Sequence, residues 1–266
     1  MIDVKNALHA QFPKLKNLSF ISNPLTFLLK KLLHQDEVNH IIETNRELDA
    51  FSFNQNVIDY FECKYSINHI ENIPKSGRVV IYANHPLGAL EALSLISMVK
   101  SVRNDVKIVA NELLMYIEPL QPLFLPVDVM SAKTAKESIK NIHNALEKEE
   151  AVIVFPAGEV SRKTKEGIRD AEWNRGFLRF AKKTNSPLLP IHIEAENSWY
   201  FYALSKINVT LSSLLLPDQM FQRKDKKMII NIGTQIEAEV YRSSTLSESE
   251  LVNTLKKELY EIGEEK

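Results

Sequence analysis

Two short stretches of this 266-residue chain hold the side-chain types that acid–base chemistry needs. The first is Ala83-Asn84-His85-Pro86-Leu87-Gly88-Ala89-Leu90-Glu91. An imidazole titrates near neutral pH and can take a proton from a hydroxyl, and a carboxylate on its other ring nitrogen fixes the tautomer for that task. On one continuous helix, side chains six positions apart would stand about 240° from each other. His85 and Glu91 therefore meet only if His85 lies in a loop and Glu91 in the helix that follows. Pro86 biases His85 away from helix, and Gly88 permits a tight turn. The second stretch is Phe155-Pro156-Ala157-Gly158-Glu159-Val160-Ser161-Arg162. Gly158 lets backbone approach a ligand, and Glu159, Ser161 and Arg162 follow with a carboxylate, a hydroxyl and a guanidinium. Alone, each stretch also reads as an ordinary strand-to-helix turn. On loops of one sheet face they become a base beside a polar cradle.

Both stretches follow short apolar runs, and the chain around them alternates between two periods. RVVIYA (78–83), VKIVA (106–110), AVIVFP (151–156), PLLPIHI (187–193) and KMIINIG (227–233) are near-continuous in Val and Ile, as buried strands are. ALEALSLISMVK (89–100), TAKESIKNIHNALEKEE (134–150) and AEWNRGFLRFAKKT (171–184) have helical length and spacing. This alternation predicts an α/β fold, a mostly parallel central sheet covered by helices, with ligand chemistry at the carboxyl ends of the strands. Residues 1–70 read as an N-terminal helical segment, and 71–266 as the α/β domain.

Composition narrows the field further. The hydrophobic fraction of 44% fills a large core, and 25% charged residues fits a globular chain rather than a disordered one. A formal net charge of −1 and the lack of aromatic residues interleaved with basic ones argue against a nucleic-acid partner. The single cysteine, Cys63, excludes a disulfide framework within the chain and a multi-cysteine zinc site, and reads as a packed residue of a reducing compartment. The N-terminus has no signal-peptide pattern, and no apolar run is long enough to span a bilayer, so the expectation is a cytoplasmic protein. Two apolar and aromatic stretches with lysines or arginines, 24–34 and 197–224, suit a membrane surface or a core. His143 and His192 read as structural. Phosphate-loop, dinucleotide-binding, serine-hydrolase-elbow and His-Glu-x-x-His signatures are absent.

With these residues in view, the chain resembles the lysophospholipid (glycerolipid) acyltransferases. That family carries a strand ending in Asn-His, four residues and an Asp, later a Phe-Pro-Glu-Gly-Thr-Arg-Ser block, and then a Pro-bearing strand. Asn84-His85, Phe155 to Arg162 and Pro187-Leu188-Leu189-Pro190-Ile191 stand at those places in order, with Arg175-Gly176-Phe177 and Ala181 like the family's intervening helix. The resemblance spans about residues 70–235. It implies an O-acyltransferase moving a fatty acyl group from a thioester, on acyl-carrier protein or coenzyme A, to a lysolipid hydroxyl, with no metal or other cofactor. His85 would be the base and Glu91 its orienting acid, with Asn84, Gly158, Glu159, Ser161 and Arg162 at the acceptor or the developing oxyanion. The setting it implies is the inner face of the cell membrane.

The departures point to one branch. Five residues rather than four precede the acid, which is Glu91, and Ala157 replaces the block's Glu. His-Pro-Leu-Gly-x-Leu-Glu with Phe-Pro-Ala-Gly-Glu-Val-Ser-Arg is similar to the hemolysin-like branch, which includes acyltransferases of ornithine and glycine lipids. The Arg expected near Phe124–Val129 is replaced by Val127-Asp128-Val129, and Asp128 at the site would repel a phosphate and attract an ammonium. Between 162 and 183, eight basic residues against three acidic ones suit the phosphates of coenzyme A or an acidic carrier protein. A non-catalytic lipid-binding or scaffolding protein on the same fold is the alternative.

Overall fold

The computed structural model describes residues 2–11, 19–127, 132–222 and 227–264. Helices α1 (Val4–Gln11), α2 (Ser19–Leu32), α3 (Gln35–Thr44) and α4 (Ala50–Tyr60) lead into strand β1 (Lys64–Asn68). Then come β2 (Val79–Ala83), α5 (Leu90–Lys100), β3 (Val106–Asn111), β4 (Phe124–Val127), α6 (Ala132–Glu147) and β5 (Ala151–Val154). A small antiparallel hairpin, β6 (Arg162–Thr164) and β7 (Gly167–Arg169), precedes α7 (Gly176–Thr184) and β8 (Leu188–Glu194). After it follow α8 (Trp199–Ile207), α9 (Val209–Ser213), α10 (Leu216–Phe221), β9 (Lys227–Ile232), α11 (Ala238–Arg242) and α12 (Glu248–Ile262).

Seven strands form the central sheet in the order β1-β9-β8-β2-β5-β3-β4. Every pairing is parallel except β8 with β9. The five apolar runs of the sequence are β2, β3, β5, β8 and β9. In β2 all five residues are buried, and they alternate between two cores because successive side chains of a strand face opposite sides. Val79, Ile81 and Ala83 join Phe53, Val57, Leu95, Ile96 and Met98 on one face. Val80 and Tyr82 join Ile142, Leu146, Phe177, Leu255 and Leu259 on the other. A sheet covered on both faces accounts for strands apolar throughout.

One feature departs from the reading of the sequence, and two more lie beyond what it specifies. Residues 64–68, inside the stretch read as helical, are the edge strand β1, whose burial alternates between exposed and half-buried. Its polar sequence KYSIN carries no apolar run, since an edge strand needs none. Strand β9 runs against its neighbour β8, a direction that an apolar run does not encode. The N-terminal helices share the sheet's core, with Ile41, Ile42 and Phe53 in one cluster with Ile81 and Ile230.

His192 on β8 is buried on the opposite face of the sheet, edge-on to Tyr260 of α12 with ring centroids 5.5 Å apart. Burial, helped by the nearby positive charge of Arg169, pushes its pKa down to about 4. The folded chain thus favours neutral imidazole, while the unfolded chain takes up the proton near the ordinary value of 6.5. The contribution is complete above pH 6.5 and is lost as the pH falls toward 4, on the order of 3 kcal/mol. Urea unfolding at pH 7.5 and 4.5 is expected to show a smaller acid loss for His192→Asn than for wild type. Equal losses would reject this assignment.

Candidate active site

The carboxyl end of β2 is where the two chemically equipped loops converge. Asn84 and His85 follow the last strand residue, and Glu91 is the second residue of α5. The imidazole Nδ1 lies 2.9 Å from Glu91 Oε1, with the carboxylate fully buried and the histidine side chain 17% exposed. The same oxygen accepts hydrogen bonds from the backbone N–H groups of Leu87 (2.7 Å) and Gly88 (2.8 Å). The longer spacing is therefore absorbed in the loop. Gly88 takes φ +116°, a conformation costly for any residue with a Cβ, and folds the chain so that its amide faces the carboxylate. Burial works against the charge on Glu91, but attraction and hydrogen bonding to His85 and the amides of Gly88 and Leu87 outweigh it and hold its pKa below the ordinary value. A carboxylate kept ionised beside Nδ1 leaves Nε2 as the nitrogen that can meet a substrate.

Phe155, just past β5, stacks on the imidazole at 4.0 Å between centroids and 21° between planes. It begins the second loop, where Gly158 turns at φ +68°. Ser161 brings this loop onto the first by donating its backbone N–H to the His85 carbonyl at 2.7 Å.

The predicted site residues divide by what they touch. His85 and Glu91 are paired. Both polar atoms of the Asn84 side chain are taken by Ile193 of β8, Nδ2 donating to its carbonyl at 2.9 Å and Oδ1 accepting its N–H at 2.7 Å. Asn84 thus ties the end of β2 to β8. Ser161 is fully buried and gives its hydroxyl to Asp170 at 2.5 Å, so it braces the loop. Glu159 is partly exposed, 3.5 Å from an Nη of Arg162. The Arg162 guanidinium lies over the Phe201 ring, donates to the Val160 carbonyl, and has a buried Nε without a hydrogen-bond partner. Asp128 lies outside the described residues. Several of the basic residues are spent on acids, Arg169 on Glu264 and Arg179 on Glu248, while Lys163, Lys165 and Arg175 are exposed.

Two residues that the sequence did not single out hold the site together. Asp170 Oδ1 accepts from the His85 backbone N–H (3.2 Å) and the Ser161 hydroxyl, and Oδ2 accepts from the Trp173 indole (2.8 Å). One buried carboxylate so joins both loops. Asn197, buried after β8, donates to the carbonyls of Pro86 (3.0 Å) and Leu87 (3.4 Å) and receives no signal in the local sequence beyond its polarity. No group of three His, Cys, Asp or Glu side chains among the described residues is placed to hold a metal ion.

A family model described as Acyltransferase matches residues 17–264. A Lyso-glycine lipid O-acyltransferase of Bacteroides thetaiotaomicron is 29% identical over 251 residues, covering 92% of this chain and 91% of that protein. A protein of the same description from Phocaeicola vulgatus is 27% identical over 243 residues, covering 89% of this chain and 86% of its own. Among solved structures, the 1-acyl-sn-glycerophosphate (LPA) acyltransferase PlsC of Thermotoga maritima matches with a TM-score of 0.51 and 16% identity, over 97% of this chain and 96% of that one. That likeness shows a shared fold.

Proposed function

The chain belongs to the acyltransferase family, and from that premise we propose that it carries a fatty acyl group from an acyl thioester to the hydroxyl of a lysolipid bearing an amino-acid headgroup. The observation that carries this reading is the buried Glu91 carboxylate at 2.9 Å from Nδ1 of His85, at the carboxyl end of a parallel strand. His85 Nε2 takes the proton of the acceptor hydroxyl as its oxygen attacks the thioester carbonyl. The resulting imidazolium is stabilised by Glu91 and returns the proton to the departing thiolate. An ester and a free thiol are the products. Gly158, Glu159 and Arg162 lie on the loop that Phe155 and Ser161 dock against His85, and their polar groups suit the acceptor headgroup or the oxyanion.

Two observations favour an amino-acid headgroup. Both curated relatives are described as acting on lyso-glycine lipid. The Arg162 guanidinium already donates to the Val160 carbonyl, and the Glu159 carboxylate 3.5 Å from its Nη opposes a phosphate dianion there. Exposed Lys163, Lys165 and Arg175 suit an acidic acyl-carrier protein or coenzyme A as donor. The working place in this reading is the cytoplasmic face of the membrane, approached peripherally, since no helix among the described residues is long and apolar enough to cross it.

The test is incubation of the purified protein with labelled acyl-carrier protein or acyl-coenzyme A and a panel of lyso-glycine lipid, lyso-ornithine lipid and lysophosphatidic acid, read by mass spectrometry. Diacylated aminolipid is the expected product. Clear preference for lysophosphatidic acid would refute the headgroup assignment, and no transfer to any acceptor would refute the activity.

A further inference from the structure

A carboxylate that positions a base must itself be held in place. Asp170 turns its side chain toward the two loops, and its backbone faces the last helix of the chain. The Asp170 N–H donates to the Tyr260 hydroxyl at 2.8 Å. Its carbonyl accepts from Lys256 Nζ at 2.9 Å, and the same ammonium donates to the Ala171 carbonyl at 2.7 Å. Lys256 and Tyr260 stand four positions apart on α12, so both lie on one face of that helix. Every polar group of Asp170 is therefore engaged, the backbone with α12 and the side chain with His85, Ser161 and Trp173.

Helix α12 is a firm support for this contact. Leu251, Leu255 and Leu259 pack in one core with Val80 and Tyr82 of β2. The Tyr260 ring is buried between two neighbours, the His192 ring edge-on at 5.5 Å and the Arg169 guanidinium 4.4 Å from its centroid. Those contacts fix where its hydroxyl points. At the helix end, a Cβ on Gly263 would stand 2.2 Å from the His192 ring, so the chain there lies directly against β8. Strand β8 also binds Asn84, next to the base, through Ile193. Covering the sheet calls for the leucines of α12. It does not call for a hydroxyl and a half-buried ammonium aimed at one stretch of backbone, where the ammonium uses two of its three donors.

We propose that Tyr260 and Lys256 are positioning residues for acyl transfer: α12 fixes the Asp170 backbone, and through the Asp170 carboxylate it fixes the His85 amide and so the place of the imidazole. This rests on the reading of His85 as the general base. A displacement near 1 Å at a reacting centre costs on the order of 10²-fold in rate, so slack in α12's hold on the Asp170 backbone reaches the chemistry.

Two substitutions test it. Tyr260→Phe keeps the ring and removes the hydroxyl, and Lys256→Met keeps an unbranched stem and removes the ammonium. Each is expected to lower kcat of the folded fraction about tenfold, with KM within about twofold of wild type. Lys256→Arg retains a cationic donor and should recover most of the loss. Leu251→Ala represents a merely structural role: it should lower the urea midpoint and leave kcat of the folded fraction near wild type. Hydrogen exchange provides a reading without turnover. Exchange at the His85 amide relative to the Ile81 amide should quicken about tenfold in Tyr260→Phe and Lys256→Met, and should not quicken in Leu251→Ala. An unchanged exchange ratio in the first two would overturn the proposal. So would losses of kcat no larger than that of Leu251→Ala, or a Lys256→Arg protein as slow as Lys256→Met. Wild-type protein inactive on every acceptor would refute the enzymatic reading, and the exchange ratio would still decide whether α12 holds the His85 loop.

Discussion

His85→Ala is expected to reduce acyl transfer by roughly 10²–10⁴-fold, the contribution of a positioned general base. Its effect on folding is moderate rather than negligible, because the imidazole is the partner of a fully buried carboxylate. In the alanine variant Glu91 keeps only the Leu87 and Gly88 amides, a cost of about 1–3 kcal/mol. His85→Gln retains a donor toward Glu91 and should lose activity with less loss of stability. Glu91→Gln still offers an oxygen to the two amides but no charge to stabilise an imidazolium, so its loss of rate should be smaller than that of His85→Ala. Initial rates at saturating donor, together with urea midpoints, separate these effects. Transfer by His85→Ala within about twofold of wild type would remove the base from the mechanism.

Asp170→Ala is expected to be the most damaging single change outside the His85–Glu91 pair. It strands three buried or half-buried donors: the His85 amide, the Ser161 hydroxyl and the Trp173 indole. Leaving buried donors unpaired costs about 1–3 kcal/mol each, so a loss on the order of 3–5 kcal/mol is expected after partial relaxation. Because Asp170 holds the backbone N–H of His85, the defect in the folded fraction should fall on kcat more than on KM. Asp170→Asn keeps the shape and one accepting oxygen and should recover part of both stability and kcat. Ser161→Ala, which removes a donor and leaves a carboxylate oxygen still bonded to the His85 amide, should cost little. Unfolding by urea and steady-state kinetics on the three variants check this order. An Asp170→Ala protein with wild-type midpoint and kcat would show that the two loops hold their places without it.

The five inner strands and the helices between them were legible in the residues because each is set by local patterning. A strand covered on both faces must be apolar along its length, as Val79 to Ala83 are, and a helix on the sheet repeats its apolar positions every three or four residues. The pairing of His85 with Glu91 was legible for a similar reason. His85, Pro86, Gly88 and Glu91 lie within seven positions, and their types alone demand a loop followed by a helix turn. Tertiary structure decided what depends on partners distant in the chain. Asp170 stands 85 positions from His85, and nothing near it in sequence tells that its two oxygens will meet both loops. Asn84 and Ser161 looked like substrate ligands, yet their polar atoms are claimed by Ile193 and Asp170 once the strands are in order. The apolar face of α2 has the spacing of a core helix and still faces outward, because which stripe is buried depends on what the fold packs against it. Periodicity records that a helix has two faces; only the arrangement of the other elements selects the one that meets the protein.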